Sequence, residues 1–494
     1  MESLEKLRPV GRLERYSTVR HHLGFYINVA VTATYNLPGS CAQPLKNYIY
    51  KACGTVVGQH PILSAIPVNE GTNNPEFVRL PDVDLDDCVF FQQRRGPTST
   101  SDQQESDVSS SSHEVRDCEL DALLSIQHNT PFTAPSPFWR LCILTDPEVP
   151  CRFTAALIYH HAIGDGGSGK AFHSSFQNAL SKAVIEPSSG VISVIQSPKI
   201  PLLPNLEAIH PMSVTIPFLA ITLFKAKIWS PRDPGLWTGS KVTIPLHNKV
   251  RHLSFSQSAT TKLLHLCREN GSTLTAVLET VFAGALFLHL PETFSKLHCS
   301  GALSMRRWLS AHGITDECMG VWVQDFSEEY SRNAFQEENI LPWPEAKRSR
   351  QTIENVLSLQ GTNAGPNLLK YVHDYEKDLF LPKIGKERAS SFEISNLGVF
   401  KKIEVLSESQ VESQGEEERR AGMVRVAELE VEIGRMVFSQ SSNVFGSALC
   451  VSAVTGGDGC LVLALTWQNG VVEDALVKQV IRSVENKITQ LENQ

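Results

Sequence analysis

The chain reads as an α/β (α+β) protein built from two similar lobes, and three features of the sequence predict this. Its 494 residues exceed what one hydrophobic core ordinarily organises, since single cores stop growing near ~250–300 residues. Strand-like and helix-like segments follow one another in a similar order before residue 186 and after residue 249, without a sequence repeat. Between them, residues 186–249 hold prolines 187, 198, 201, 204, 211, 217, 231, 234 and 245. Such a stretch breaks regular elements and reads as a surface connector. The expected division is therefore 1–185, 186–249 and 250–494.

Taken in order, residues 21–35 alternate and are rich in Val, Thr and Tyr, which suits a strand. Pro44 to Gly58 reads as a helix with Leu45, Ile49, Ala52 and Val56 on one face. Proline suits its first position, and His60-Pro61 ends it, because a residue before proline disfavours helix. Ile62–Val68 and Phe77–Leu80 are short strand candidates. Residues 97–112 are nearly all Ser, Thr, Asp and Gln around a lone Val108, and predict a disordered loop. Cys118–Ile126 predicts a helix, and Phe138–Leu144 and Phe153–Tyr159 two neighbouring buried strands. After the connector, Val250–Phe255 predicts a strand. Gln257–Asn270 predicts a helix closed at Asn270-Gly271, and a further helix capped by Thr275 runs to about Leu290. Strands are expected near 299–305, 391–395, 446–454 and 460–467. The Glu-rich residues 404–421 read as a second solvated insertion.

Hydrophobic residues make up 41% and charged residues 20% of the chain, a soluble globular balance. A formal net charge of −8 speaks against a dedicated nucleic-acid binder, which presents a basic face. None of the eleven cysteines forms a C-x-x-C pair, so zinc-finger and thioredoxin-like readings lack support. An odd count in a large chain predicts reduced thiols and a cytoplasmic setting. The opening MESLEKLRPVGRLERY is charged and shows no apolar signal core. Met212–Trp229 is the most apolar long stretch. Pro217, Lys225 and Lys227 interrupt it, and it falls short of the ~20 residues a spanning helix needs. It reads either as a partly buried linker helix or as a segment lying on an internal membrane. A monomer is expected.

Residues 152–180 carry the chemistry. An apolar strand, Phe153–Tyr159, ends in His160-His161. Gly164, Gly166, Gly167 and Gly169 follow in a turn, and then a helix with Phe172, Phe176, Ala179 and Leu180 at helical spacing. Active-site groups favour turns held by a rigid sheet. A neutral imidazole there can take the proton of an attacking hydroxyl near pH 7. A carboxylate four residues on, Asp165, can brace the turn by pairing with a basic residue. His160 projects to the opposite face of the strand and is expected, with Gly166, to support His161 from behind.

His161-Ala-Ile-Gly-Asp165-Gly166 resembles the His-x-x-x-Asp-Gly signature of the coenzyme A-dependent acyltransferases, the superfamily of chloramphenicol acetyltransferase and peptide condensation domains. Further blocks are similar to the fungal alcohol acetyltransferase family: Gly11-Arg12 through Glu14-Arg15-Tyr16, Gly24-Phe-Tyr-Ile-Asn28, Ser395-Asn396-Leu397-Gly398, Phe438-Ser-Gln-Ser441 and Leu465-Thr-Trp467. The resemblance spans nearly the whole chain, at low density between these blocks. It implies two chloramphenicol-acetyltransferase-like lobes with a tunnel between them. It also implies transfer of an acyl group, acetyl first among them, from acyl-CoA to the hydroxyl of a small alcohol or secondary metabolite. No permanently bound cofactor and no metal are expected. His161 is then the general base and Asp165 a structural aspartate paired with Arg306, with the adjacent Arg307 as rival. Ser395 or Asn396 is placed near the substrate to donate to the oxyanion. Plant relatives carry Asp-Phe-Gly-Trp-Gly where this chain has Phe438-Ser-Gln-Ser441.

Other chemistries fit less well. Gly164–Lys170 matches G-x-x-x-x-G-K, a phosphate-binding loop. Its next residue is Ala171, which has no hydroxyl for magnesium, and Asp165 sets a negative charge inside the cradle. Gly166-Gly-Ser168-Gly-Lys170 fails the last position of a serine nucleophile elbow. A zinc site from His160, His161 and His173 has no recognised spacing. A non-catalytic binder on the same scaffold would be expected to have lost His161.

Overall fold

The computed structural model describes residues 4–38, 43–95, 116–186, 190–227, 232–335, 341–401 and 430–493. The loop expected at 97–112 and the insertion expected at 404–421 lie outside these. In chain order the strands are β1 Glu5–Pro9, β2 Val29–Asn36, β3 Ala65–Val68, β4 Glu76–Arg79, β5 Asp82–Asp84, β6 Val89–Gln93, β7 Trp139–Thr145 and β8 Arg152–Tyr159. They continue as β9 Val194–Gln196, β10 Asn248–Phe255, β11 Lys296–Ser304, β12 Val323–Ser331, β13 Phe392–Val399, β14 Glu432–Gln440, β15 Leu449–Thr455 and β16 Leu461–Gln468. The helices are α1 Arg12–His22, α2 Leu45–Gln59, α3 Cys118–Gln127, α4 Gly166–Ile185, α5 Leu206–Ile209, α6 Ile216–Lys227, α7 Gln257–Glu269, α8 Leu274–His289, α9 Trp343–Ser358 and α10 Asp474–Glu492.

Two mixed sheets organise two lobes. The first has the order β14-β2-β8-β7-β6 and the second β10-β16-β15-β13-β11-β12. Strand β8 is buried from Phe153 to Tyr159, as a central strand covered on both faces must be. Helices α2 and α4 pack together over the first sheet, and α7, α8 and α10 pack together beside the second. Helix α10 shows why: Val477, Val480, Ile481, Val484, Ile488 and Leu491 form one buried stripe at helical spacing. Strand β14 comes from the late part of the chain yet pairs antiparallel with β2, with Phe438 opposite Val31 and Gln440 opposite Val29. The chain then enters the second sheet at β15. The lobes are thus joined through a strand as well as through the connector.

Several expectations need correction. The strand expected over 21–35 begins only at Val29, because residues 12–22 form α1. Residues Pro61–Ser64 make a tight helical turn before β3. Pro44 precedes α2 as its cap. Thr273, not Thr275, caps α8 by accepting from Ala276 N. The proline-rich connector contains α6, whose Ile216, Ile221, Leu223 and Phe224 are exposed. Among the described residues no single helix is long and apolar enough to cross a membrane.

Candidate active site

Helix α4 starts at Gly166 because Asp165 caps it, accepting from Ser168 N at 3.1 Å. The same carboxylate takes both arms of the Arg306 guanidinium, at 2.8 and 2.9 Å, and Trp322 N at 3.0 Å. Burial works against its charge, but Arg306 outweighs burial and holds the carboxyl below the ordinary carboxylate range. Arg306 is itself buried, whereas Arg307 is exposed over Trp308. A side chain on Gly167 would strike the guanidinium at 2.8 Å, so glycine there lets the pair form. Asp165 thereby fixes the turn and has no free oxygen with which to bind a substrate proton.

His161 follows β8 and lines a cavity of about 390 Å³ where the halves of the chain meet. α1 supplies Tyr16, Ser17 and Arg20 to its wall, β11 supplies Ser300, and β13 supplies Glu393. The Tyr26 ring lies 5.5 Å from the imidazole. Nδ1 is sealed from solvent, and no hydrogen-bond partner for it is found among the described residues. Burial first, and then the nearby Arg20 cation, hold the ring below its ordinary pKa, so it is neutral at pH 7.

His160 turns away into a cluster with His21 and Glu70. Its Nε2 lies 3.1 Å from Glu70 Oε1, somewhat off an ideal hydrogen-bond angle, and His21 Nδ1 lies 3.1 Å from Oε2. The spacing would admit a metal ion, but the far nitrogens decide otherwise. His160 Nδ1 accepts from Ala162 N at 2.9 Å and His21 Nε2 accepts from Phe132 N at 3.1 Å. Each ring must therefore carry its proton on the nitrogen that faces Glu70. Burial works to raise the Glu70 carboxyl, but the two imidazoles outweigh it and lower it to about 2. Glu70 anchors the start of the His161 turn and the end of α1 at once.

Ser395-Asn396-Leu397-Gly398 lies within β13 and not in a turn beyond it. Pairing with β15 continues through Asn396 and resumes at Val399 across a bulge, where Gly398 has φ +69°. Ser395 shares a strand face with Glu393 and Asn396 takes the other. Asn396 Nδ2 donates to Thr275 Oγ1 at 3.1 Å and its Oδ1 accepts from Gly398 N, so its amide is occupied. Ser395 is buried, and no hydrogen bond to its hydroxyl is found among the described residues. Lys170 Nζ donates to Leu397 O at 2.6 Å. With Asp165 over the α4 N-terminus and Lys170 engaged, the stretch Gly164–Lys170 is no phosphate cradle.

Phe438-Ser-Gln-Ser441 supports this site. A side chain on Gly166 would meet Leu397 at 2.6 Å and Phe438 at 3.1 Å, so three separate blocks converge at one glycine. Gln440 accepts from Tyr26 OH at 3.2 Å and donates to Glu393 at 3.3 Å. Ser439 Oγ and Asn28 Oδ1 bond the buried ring of His128.

A family model described as alcohol acetyltransferase matches residues 9–414. The chain belongs to the alcohol acetyltransferase family. It is an acyltransferase that acts on a hydroxyl with acyl-CoA as co-substrate. It is 33% identical to the probable alcohol acetyltransferase crmB of Aspergillus fumigatus, over 96% of this chain and 97% of that protein. It is 25% identical to the probable alcohol acetyltransferase FCK4 of Fusarium pseudograminearum, over 99% and 96%. In fold it is similar to TRI3 trichothecene 15-O-acetyltransferase from Fusarium sporotrichioides, with a TM-score of 0.66 at 12% identity over 98% and 95% of the two chains. Condensation domains share the two-lobed architecture. The first of the CDA synthetase has a TM-score of 0.57 at 12% identity, over 100% of this chain and 97% of that one.

For an alcohol acetyltransferase of this fold, the motif residues were legible and their neighbours were not. The sequence reading passed over Arg20, Tyr26, Glu70, Glu393 and Gln440 as site residues. Tyr26 and Gln440 stand inside blocks that carried the resemblance, which was the available signal. Glu70 sits in an ordinary-looking turn and gave none.

Proposed function

We propose that His161 is the general base for transfer of an acetyl group from acetyl-CoA to the hydroxyl of a small alcohol or secondary metabolite. One observation carries this. His161 is the imidazole that lines the interlobe cavity, with Nδ1 sealed away from solvent. The acceptor hydroxyl gives its proton to Nε2 while its oxygen attacks the thioester carbonyl. The resulting oxyanion needs a donor, and Ser395 is assigned that role, because its hydroxyl is uncommitted where the Asn396 amide is not. Collapse breaks the C–S bond, and the departing thiolate recovers the proton from the imidazolium. Asp165 and Arg306 hold the turn, and His160 and Gly166 support it. The printed names of crmB and FCK4, and TRI3's description as an O-acetyltransferase, support acetyl as the group and a hydroxyl as the acceptor.

The test is release of CoA from acetyl-CoA by the purified chain against a panel of alcohols. His161→Ala should lower turnover at least ~100-fold, as loss of a general base typically does, with the melting temperature little changed. Turnover within threefold of wild type would exclude the assignment. Exposed apolar residues on α6 also support peripheral membrane contact through 212–229. Flotation with anionic vesicles, lost in Ile221→Asp/Phe224→Asp, tests that contact.

A further inference from the structure

The His161 cavity contains an arginine and a glutamate that the acyl-transfer steps do not use. Arg20 is 6% exposed, yet no carboxylate forms an ion pair with it among the described residues. Its hydrogen bonds go to its own helix, to Tyr16 O at 3.2 Å and Ser17 Oγ at 3.3 Å. The guanidinium is held instead by aromatic rings, 4.3 Å from the centre of Tyr16 and 4.5 Å from that of Tyr26. Stacking of this kind fixes an arginine while leaving donors in its plane free.

Glu393 reaches the same cavity from β13. One of its oxygens accepts from Gln440 at 3.3 Å, and no hydrogen bond to the other is found among the described residues. Burial raises its pKa, offset in part by Gln440 and Arg20. An arginine and a carboxyl group with unmet hydrogen-bonding capacity at a cavity wall are costly unless something completes them. Water can do so before an acceptor binds. A bound acceptor that expels the water must replace its hydrogen bonds or bind poorly.

We propose that Arg20 and Glu393 form a polar subsite for the acceptor, so that the preferred acceptor carries a second polar group beyond the hydroxyl that is acylated. The chemistry that fits is a group that donates to Glu393 and accepts from Arg20: a second hydroxyl or an amide. A plain alkanol of the same size leaves both groups unmatched. This inference rests on His161 acting as the base in the same cavity.

The experiment uses size-matched acceptors, cyclohexanol against cyclohexane-1,4-diol and 4-hydroxycyclohexanecarboxamide, with the full chain. Steady-state kinetics with acetyl-CoA are measured, and calorimetric binding of each acceptor to the complex with CoA. Wild type should favour a polar acceptor over cyclohexanol by at least ~10-fold in kcat/KM and in binding, as a hydrogen bond to a charged group is worth that much. The ratio should fall toward one in Glu393→Gln and in Arg20→Lys, through the KM of the acceptor. Glu393→Ala provides a check if either variant folds poorly. Equal binding of the two acceptor classes by wild type overturns the proposal. So does an unchanged ratio in folded variants, or a shift confined to the KM of acetyl-CoA, which would assign the pair to the donor. Discrimination in binding with no dependence of turnover on His161 would instead sink the general-base assignment and leave this subsite standing.

Discussion

Asp165–Arg306 and Arg20–Glu393 each set an arginine and a carboxyl group inside the molecule, the first pair fully buried and the second at a cavity wall, and only the first joins them. Around Asp165 every oxygen is engaged: two guanidinium nitrogens, two backbone amides and the Ser168 hydroxyl converge on it. Around Arg20 and Glu393 the protein supplies rings, a helix carbonyl, a serine hydroxyl and one amide, and leaves the rest open to the cavity. A completed buried pair holds backbone in place, while an incomplete one is ready to take a ligand. The motif residue Asp165 is therefore the less chemical of the two carboxylates, although the sequence pattern draws attention to it first.

The largest expected effect breaks the completed pair. Asp165→Ala strands a buried guanidinium and should cost about 3–5 kcal/mol in unfolding by denaturant. Glu393→Gln should change the same quantity by less than about 1 kcal/mol, since no paired charge is lost. Similar values for both would erase the distinction. Next comes the strand that carries Glu393. Ser395→Ala should lower turnover by ~10²–10³ at saturating substrates. Asn396→Ala should leave turnover near wild type and cost about 0.5–1.5 kcal/mol through its bond to Thr275. The reverse pattern would reassign the oxyanion donor.

A smaller effect is expected at Glu70. In Glu70→Gln the amide can accept from one imidazole and must present N–H to the other. Stability should fall by about 1–3 kcal/mol and kcat should fall with KM unchanged, while dialysis against a chelator should leave wild-type turnover intact. Metal-dependent turnover would contradict the proton assignment of His21 and His160. The smallest effect concerns pH. Neutral His161 is the active form, and its pKa is lowered from 6.5 by burial and then by Arg20. Activity should therefore persist as pH falls through 6.5 and decline only below it. Arg20→Gln should move that acid midpoint upward. A wild-type midpoint at or above 6.5 would show that the ring is better solvated than the geometry implies.

Elements whose burial follows their local pattern were legible in the sequence. The runs that became β7, β8, β15 and β16, and the one-sided stripe of α2, announce themselves by hydrophobic period. Helix α1 did not, because its buried residues are mostly polar, Glu14, Ser17, Thr18, Arg20 and His21 beside a single Val19, and polar side chains give no hydrophobic period. Strand β14 was missed for another reason. It borders a charged insertion, and its partner β2 lies some four hundred residues earlier, so no local window contains the pairing. In the site, His161, Asp165 and Arg306 stand in recognisable strings. Glu70 and Glu393 matter because of what folding brings beside them, and a single sequence does not record that.

The placement of β14 has a consequence for biosynthesis. The first sheet ends on this strand, yet its residues leave the ribosome long after β2, β8 and β7. Until residue 440 has emerged, β2 presents a row of unpaired backbone groups, the kind of edge that nascent chains pair wrongly. The early lobe cannot reach its final form during synthesis and must wait for nearly the whole polypeptide. Residues 441 onward, already tied to it through Ser441 and Ile27, then build β15 of the second sheet, so completing one lobe starts the closing of the other.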